Sequence, residues 1–321
     1  MSSGETIDTA AGAYQVLAQR TLRLTVVPSL LCTAAFAFVF SHVLPMLTVT
    51  ESPDDTMAQI LEALASIGIG LLVALPLFLI GVAYSTGVIT MLVSDYATGN
   101  VPNAAAAQAA TRRQIGSLVL LTLRQTLIAL SLGFVGAGLL MVAAIVESRP
   151  EFASVSALAA GLAILAFVAE ALVLPWVMTV YALTVPVLMI EGSGISGSVR
   201  RSKQLLRGMA GHETAHFTVI GVLLVIFFLV LFIWIGGSQT LGMFGAREWL
   251  EALLSGWSLR DAVLLAFDVL PFFIALWFVT PVWGTAVTII YYERRTRIEG
   301  YDIEILAQEV WRSHAKSRFQ L

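Results

Sequence analysis

The chain has 321 residues, 58% hydrophobic and 12% charged, with a formal net charge of -3 and a mean hydropathy of +0.87. Soluble domains carry about a quarter of their residues as Asp, Glu, Lys and Arg, so this chain has too little charge to cover a water-facing surface. Its basic residues sit in short clusters between apolar runs, which excludes a nucleic-acid-binding surface, and its single cysteine, Cys32, excludes an intrachain disulfide.

Hydrocarbon about 30 Å thick is crossed by roughly 20 helical residues. Six runs satisfy this: Leu24 to Leu44, Ile67 to Leu92, Gln125 to Val146, Ala153 to Ile190, Phe217 to Gly236 and Ala262 to Tyr292. Each is predicted to be helical, because unpaired backbone groups are too costly in lipid. The residues before the first run are polar or amphipathic, and the run itself is too long for a cleaved signal. Leu30-Leu31-Cys32 lacks the small residue that a lipoprotein cleavage site places before its cysteine. The fourth run, at 38 residues, is read as one span whose start, Ala153 to Ala160, tilts or stands above the bilayer. Gly242 to Ser258 is predicted to lie as a short helix on the outer surface, with Trp249 and Trp257 at headgroup depth and Glu248 and Glu251 in water. An ordinary loop is the alternative.

With the amino terminus inside, 15 of the 18 lysines and arginines face the cytoplasm, and only Arg149, Arg247 and Arg260 face out. This bias puts both termini in the cytoplasm. The chain also repeats loosely. Leu-Pro recurs at Leu75-Pro76, Leu174-Pro175 and Leu270-Pro271, each span so marked ends at an acid (Asp95, Glu191, Glu293), and each preceding span follows an arginine-bearing amphipathic stretch. Those stretches are Thr9 to Arg23, Asn103 to Arg124 and Ile195 to Arg207. The inferred unit is a cytoplasmic interfacial helix followed by a transmembrane hairpin, used three times over 8–95, 103–191 and 195–293. The expected fold is therefore all-α: a single polytopic membrane bundle of six transmembrane helices in three pseudo-repeated hairpins, with a cytoplasmic tail from 294 to 321.

Glu170 and Asp268 are the acids within apolar spans. An ionised carboxylate there is expensive, so each is neutral, paired or faces a wet interior. Both lie just outward of a proline, Pro175 or Pro271, where a broken helix frees backbone groups to bind ions or substrates. They fit a proton or cation site; equally, they fit side chains that snorkel outward or bond a neighbouring helix. His212-Glu213-Thr214-Ala215-His216 places two histidines one turn apart around a glutamate, the arrangement with which metallopeptidases hold zinc and activate water. Gly208 and Gly211 point instead to a helix start there, and no third-ligand motif follows. The alternative is a polar collar opening the fifth span. Arg200, Arg201, Lys203 and Arg207 make a basic amphipathic helix suited to anionic headgroups, each charge worth about 1 kcal/mol against such lipid.

Pro186, Glu191-Gly192, then Arg201-Ser202 ahead of Arg207-Gly208, together with the ending Tyr291-Tyr292, Arg294, Arg295, Arg297 and Glu299-Gly300-Tyr301-Asp302, resemble motifs of a broad group of bacterial and archaeal six-span proteins. The group is named after the membrane domain that precedes the catalytic domain in some glycerophosphoryl diester phosphodiesterases. The resemblance implies a six-span membrane module. It carries over no phosphodiesterase activity, which belongs to a separate soluble barrel. The chain departs from the group's pattern between Gly208 and Phe217, where the His-Glu-Thr-Ala-His stretch stands. In the ending, Gly300 closes or bends a helix, and its arginines and acids (Glu293, Glu299, Asp302, Glu304) are placed to tie the tail to the basic helix or to dock a cytoplasmic partner.

Together these features predict a non-catalytic module of a bacterial cytoplasmic (inner) membrane, a scaffold or a handler of lipid or small solutes, without a cofactor. The alternatives are an ion- or proton-coupled transporter using Glu170 and Asp268, and a zinc metallopeptidase using His212, Glu213 and His216. Expected partners are anionic headgroups, at Arg200, Arg201, Lys203, Arg207, Arg294, Arg295 and Arg297, and a protein at the tail.

Overall fold

The structure, a computed structural model, describes residues 3–47, 56–147, 152–207, 245–255 and 260–300, with positions 229, 230 and 233. These are helical almost throughout: α1 (Ser3–Leu47), α2 (Thr56–Ala97), α3 (Ala104–Ala129), α4 (Ser131–Glu147), α5 (Ala153–Tyr181), α6 (Thr184–Glu191), α7 (Ile195–Arg207), α8 (Ala246–Leu253) and α9 (Arg260–Glu299). Four stretches are long and apolar enough to cross a membrane: Asp8–Val39, Leu72–Ala97, Ser154–Glu191 and Val263–Glu299. The α3–α4 pair, bent by 51° at its break, makes a fifth if it is counted as one broken span. These fall on five of the six expected runs; Phe217 to Gly236 lies almost wholly outside the described residues.

The packing forms two groups. In one, α1 packs on α2 and on α9; in the other, α4 packs on α5, and α3 joins the groups by contacting both α2 and α5. Ala13 and Leu17 of α1 meet Ile89 and Val93 of α2 and Ile289 of α9. Further along α1, Cys32 reaches the Phe78 carbonyl and Phe36 stacks on Phe272 at 4.1 Å. Rising numbers in α1 thus meet falling numbers in both neighbours, so α1 runs antiparallel to them. Between α2 and α9, Thr288 faces Thr90 and Tyr292 faces Ser94, both 198 residues apart. These two helices therefore run parallel, and the start of α1 shares one end of the bundle with the finish of α9.

Small residues permit this closeness. On α1, Ala13, Leu17, Thr21, Thr25 and Ser29 are buried at four-residue spacing, which puts them on one face. Thr21, Thr25 and Thr33 donate their hydroxyls to backbone carbonyls four residues earlier at 2.8–3.1 Å, so a polar side chain is buried without an orphaned hydrogen. Trp277 Nε1–H reaches across from α9 to the Leu22 carbonyl at 2.7 Å. Gly81 leaves no room for a side chain against α1: a Cβ there would lie 2.6 Å from Cys32 Sγ and 2.8 Å from the Pro28 carbonyl oxygen.

The expected interfacial units are not uniform. Thr9 to Arg23 is no separate helix but the first part of α1, because neither Gly nor Pro interrupts the ladder from Ala13 to Val27. Asn103 to Arg124 likewise forms one helix with the start of the third run, and the chain breaks at Leu130. Asn103 caps α3, its side chain accepting from the N–H groups of Ala105 and Ala106. Ile195–Arg207 forms α7, and the residues that follow it lie outside the described ones. On the surface segment, α8 covers Ala246–Leu253 with Trp249 66% exposed, a helix as expected; Trp257 lies outside the described residues.

Gly81→Ala is expected to cost about 1–3 kcal/mol through overpacking against the α1 backbone. Gly116→Ala, whose Cβ meets nothing within 4 Å, should be neutral or gain up to about 1 kcal/mol of helix propensity. Thermal unfolding of the purified variants in detergent checks this, and equal shifts would refute the close α1–α2 approach.

Candidate functional site

The end of the bundle that carries the arginines is tied by a closed ring of side chains. α6 ends at Glu191 because Gly192 takes the left-handed conformation, φ +65°, which costs glycine little and turns the chain toward α7. α7 then buries Ser198, Val199, Ser202, Leu205 and Leu206 and leaves Arg200 exposed, the one-sided pattern of an amphipathic helix. That face packs against Tyr291, Tyr292 and Ile290 of α9 and Leu183 and Val187 near α6.

Arg201 is left at the seam. Its Nε lies 3.3 Å from one Glu191 carboxylate oxygen and its terminal nitrogen pairs with Glu299. Glu299 accepts from Arg295 Nε at 3.1 Å, Arg295 donates to the Tyr291 hydroxyl at 3.2 Å, and Tyr291 donates to Glu191 at 3.0 Å. Five residues on α6, α7 and α9 thus close a loop in which two arginines balance two glutamates. Their charged side chains are 19–28% exposed, so water does not fully screen them, and Tyr291 itself is buried. Ser202 adds a tie, donating to the Val180 carbonyl at 2.9 Å, a group that the end of α5 leaves without a helical donor. Gly300, φ +62°, closes α9 with its N–H on the Thr296 carbonyl.

Among the residues that carry the family resemblance, Glu191, Gly192, Arg201, Ser202, Glu299 and Gly300 therefore converge on one structure, and Asp302 lies outside the described residues. Tyr291 joins the ring as a hydrogen-bonding group, a role for which the sequence offers only its place beside Tyr292 and the arginines that follow. The other basic residues differ among themselves. Arg200 is exposed, Lys203 is half-buried, and Arg297 pairs with Glu293 on its own helix at 2.7 Å. Arg294, expected at the headgroups, is 4% exposed, and its Nε finds no hydrogen-bond partner.

Glu170 lies on α5 against the break between α3 and α4. One carboxylate oxygen accepts the Gly133 N–H at 3.1 Å, one of the donors that the first turn of α4 cannot satisfy internally. The acid thus caps a neighbouring helix, while its other oxygen is buried without a partner. Asp268 lies half-buried on α9, in the other packing group. His212, Glu213 and His216 lie outside the described residues, and among the described residues no group of three His, Cys, Asp or Glu side chains is placed to hold a metal.

A cavity of about 340 Å³ lies between α2, α3, α5, α6 and α9, near the break between α5 and α6. Phe78, Val82, Val177, Met178 and Trp283 give it apolar walls, and Thr86, Thr122, Gln125, Thr126 and Thr280 give it a polar stripe. Neither Glu170 nor Asp268 lines it. The stripe is not legible in the sequence, because threonines on three separate helices acquire meaning only when those helices face each other. Comparison of the chain with protein-family models, curated proteins and solved structures finds no match.

Two outcomes are expected from thermal unfolding in detergent. In a double-mutant cycle, Arg201→Ala and Glu299→Ala should couple by about 1 kcal/mol, as bonded neighbours do, and additive losses would remove the ring as a tie. Glu170→Gln keeps an acceptor for Gly133 and should cost less than about 0.5 kcal/mol, whereas Glu170→Ala loses a cap and should cost about 1–2 kcal/mol; equal losses would count against the capping role.

Proposed function

We propose that this protein is a non-catalytic, multi-pass module of a bacterial cytoplasmic membrane that holds a lipid-like or small amphiphilic solute between its helices. The observation that carries this is the cavity: apolar walls suit a chain, and a few uncharged polar groups suit its headgroup, the usual makeup of a small-molecule site. In this scheme Phe217 to Gly236 supplies a sixth crossing, and the arginine bias puts both termini in the cytoplasm. The charge ring then lies at the cytoplasmic surface, where exposed arginines such as Arg112, Arg113 and Arg200 meet anionic headgroups, and the tail beyond Gly300 engages a protein partner.

Two further features favour holding over ion transport. Glu170 is bound to the first turn of α4, and among the described residues no carboxylate lines the cavity. The likeness to stand-alone six-span modules agrees with a role without catalysis.

Protein washed in detergent and transferred to nanodiscs should retain a co-purifying amphiphile, read by native mass spectrometry. Thr126→Trp, which fills the cavity, should lower retention about tenfold, the effect of losing ~1.4 kcal/mol of binding. Leu172→Trp, at a position 74% exposed, should leave it unchanged. Equal retention in all three proteins would overturn the proposal.

A further inference from the structure

The hydrogen-bonding state of the cavity wall narrows what it can hold. Every group in its polar stripe is uncharged, and among the described residues no Asp, Glu, Lys, Arg or His lines it. An ion moved there from water would lose its hydration and find no opposite charge, which costs several kcal/mol or more. The occupant is therefore neutral.

The wall's hydrogens are largely committed elsewhere. Thr86 donates to the Val82 carbonyl at 2.8 Å, Thr122 to Leu118 at 2.9 Å, and Thr280 to Leu276 at 2.8 Å. Each hydroxyl has one hydrogen, so what these three turn to the cavity is lone pairs. Gln125 spends an amide hydrogen on Thr184 Oγ1 at 2.6 Å, which orients the side chain and leaves its carbonyl oxygen as an acceptor. Pro186, also in the wall, has no N–H to offer the Ala182 carbonyl four residues earlier. Acceptors thus come from α2, α3, α9 and the α5–α6 joint together. Thr90, Thr126, Tyr181 and Trp283 also line the cavity and carry donor groups, so the wall offers hydrogens as well as lone pairs.

An ether or ester ligand brings only acceptors and would leave the wall's own acceptors unanswered. A hydroxyl brings a hydrogen for the acceptors and an oxygen for a remaining donor. Resting on the reading of the cavity as an amphiphile site, we infer that its occupant is an uncharged, hydroxyl-bearing amphiphile, such as a long-chain alcohol or an acylglycerol. Its hydroxyl sits at the threonine stripe and its chain lies along Phe78, Val82 and Val177.

The test uses the full chain in nanodiscs and three photoactivatable probes of equal chain length: a hexadecanol carrying a diazirine, its methyl ether and the corresponding fatty acid at pH 8. Labelled residues are mapped by mass spectrometry. The alcohol is expected to label cavity residues about tenfold more than the ether, the scale of one or two net hydrogen bonds, and to exceed the carboxylate by more. Thr86→Val and Thr122→Val remove an acceptor with little change in volume and should each bring the alcohol toward the ether's level; Thr280→Val serves if either fails to fold. Equal labelling by alcohol and ether, or by alcohol and acid, overturns the hydroxyl preference and leaves the cavity as an amphiphile site. Absence of cavity labelling by all three probes overturns both.

Discussion

Hydrocarbon supplies no hydrogen bonds, and every polar group that enters it must find a partner in the protein. That constraint orders the molecule from backbone to site. It makes the apolar runs helical, and it turns buried threonines such as Thr21, Thr25 and Thr288 back onto their own helices. It also explains why breaks in helices attract side chains from elsewhere. The break between α3 and α4 frees N–H groups, and Glu170 answers one of them. The break between α5 and α6 frees carbonyls, and Ser202 answers one of those from α7.

The same breaks create the places where function can reside. A straight fourth span would pack along its neighbours without a gap. Instead, the turn at Ala182 and Leu183 separates α5 from α6, and Gln125 reaches from α3 to Thr184 at the first residue of α6. The cavity lies beside this joint. Below it, the short α6 delivers Glu191 to the surface, and the turn at Gly192 brings Arg201 back over it. Cavity and charge ring are thus two products of one interruption, at successive levels of the bundle.

The ring has its own physical logic. Single surface ion pairs contribute little, but here each charged group has two partners and Tyr291 transmits between them from a buried position. Removing one member leaves others partly buried and unpaired, which costs more than the lost pair was worth. A linkage of this kind fixes α7 and the finish of α9 against each other where both leave the apolar part of the bundle.

Much of this was legible in the residues themselves. Charge poverty and run lengths determine that lipid is the solvent and that the elements are helices. Opposite charges around Arg201 and Glu299 already suggested a tie between α7 and the ending, and the pair is present. Segment boundaries were less legible, because hydropathy changes at Arg23 and Arg124 while the backbone ladder continues through both. Tertiary structure alone decided that Glu170 caps α4, that Arg294 is buried, and that scattered threonines share one cavity. Hydropathy averages around a helix, whereas partnership depends on how each helix is rotated and where it breaks, and those are set only when all the helices pack together.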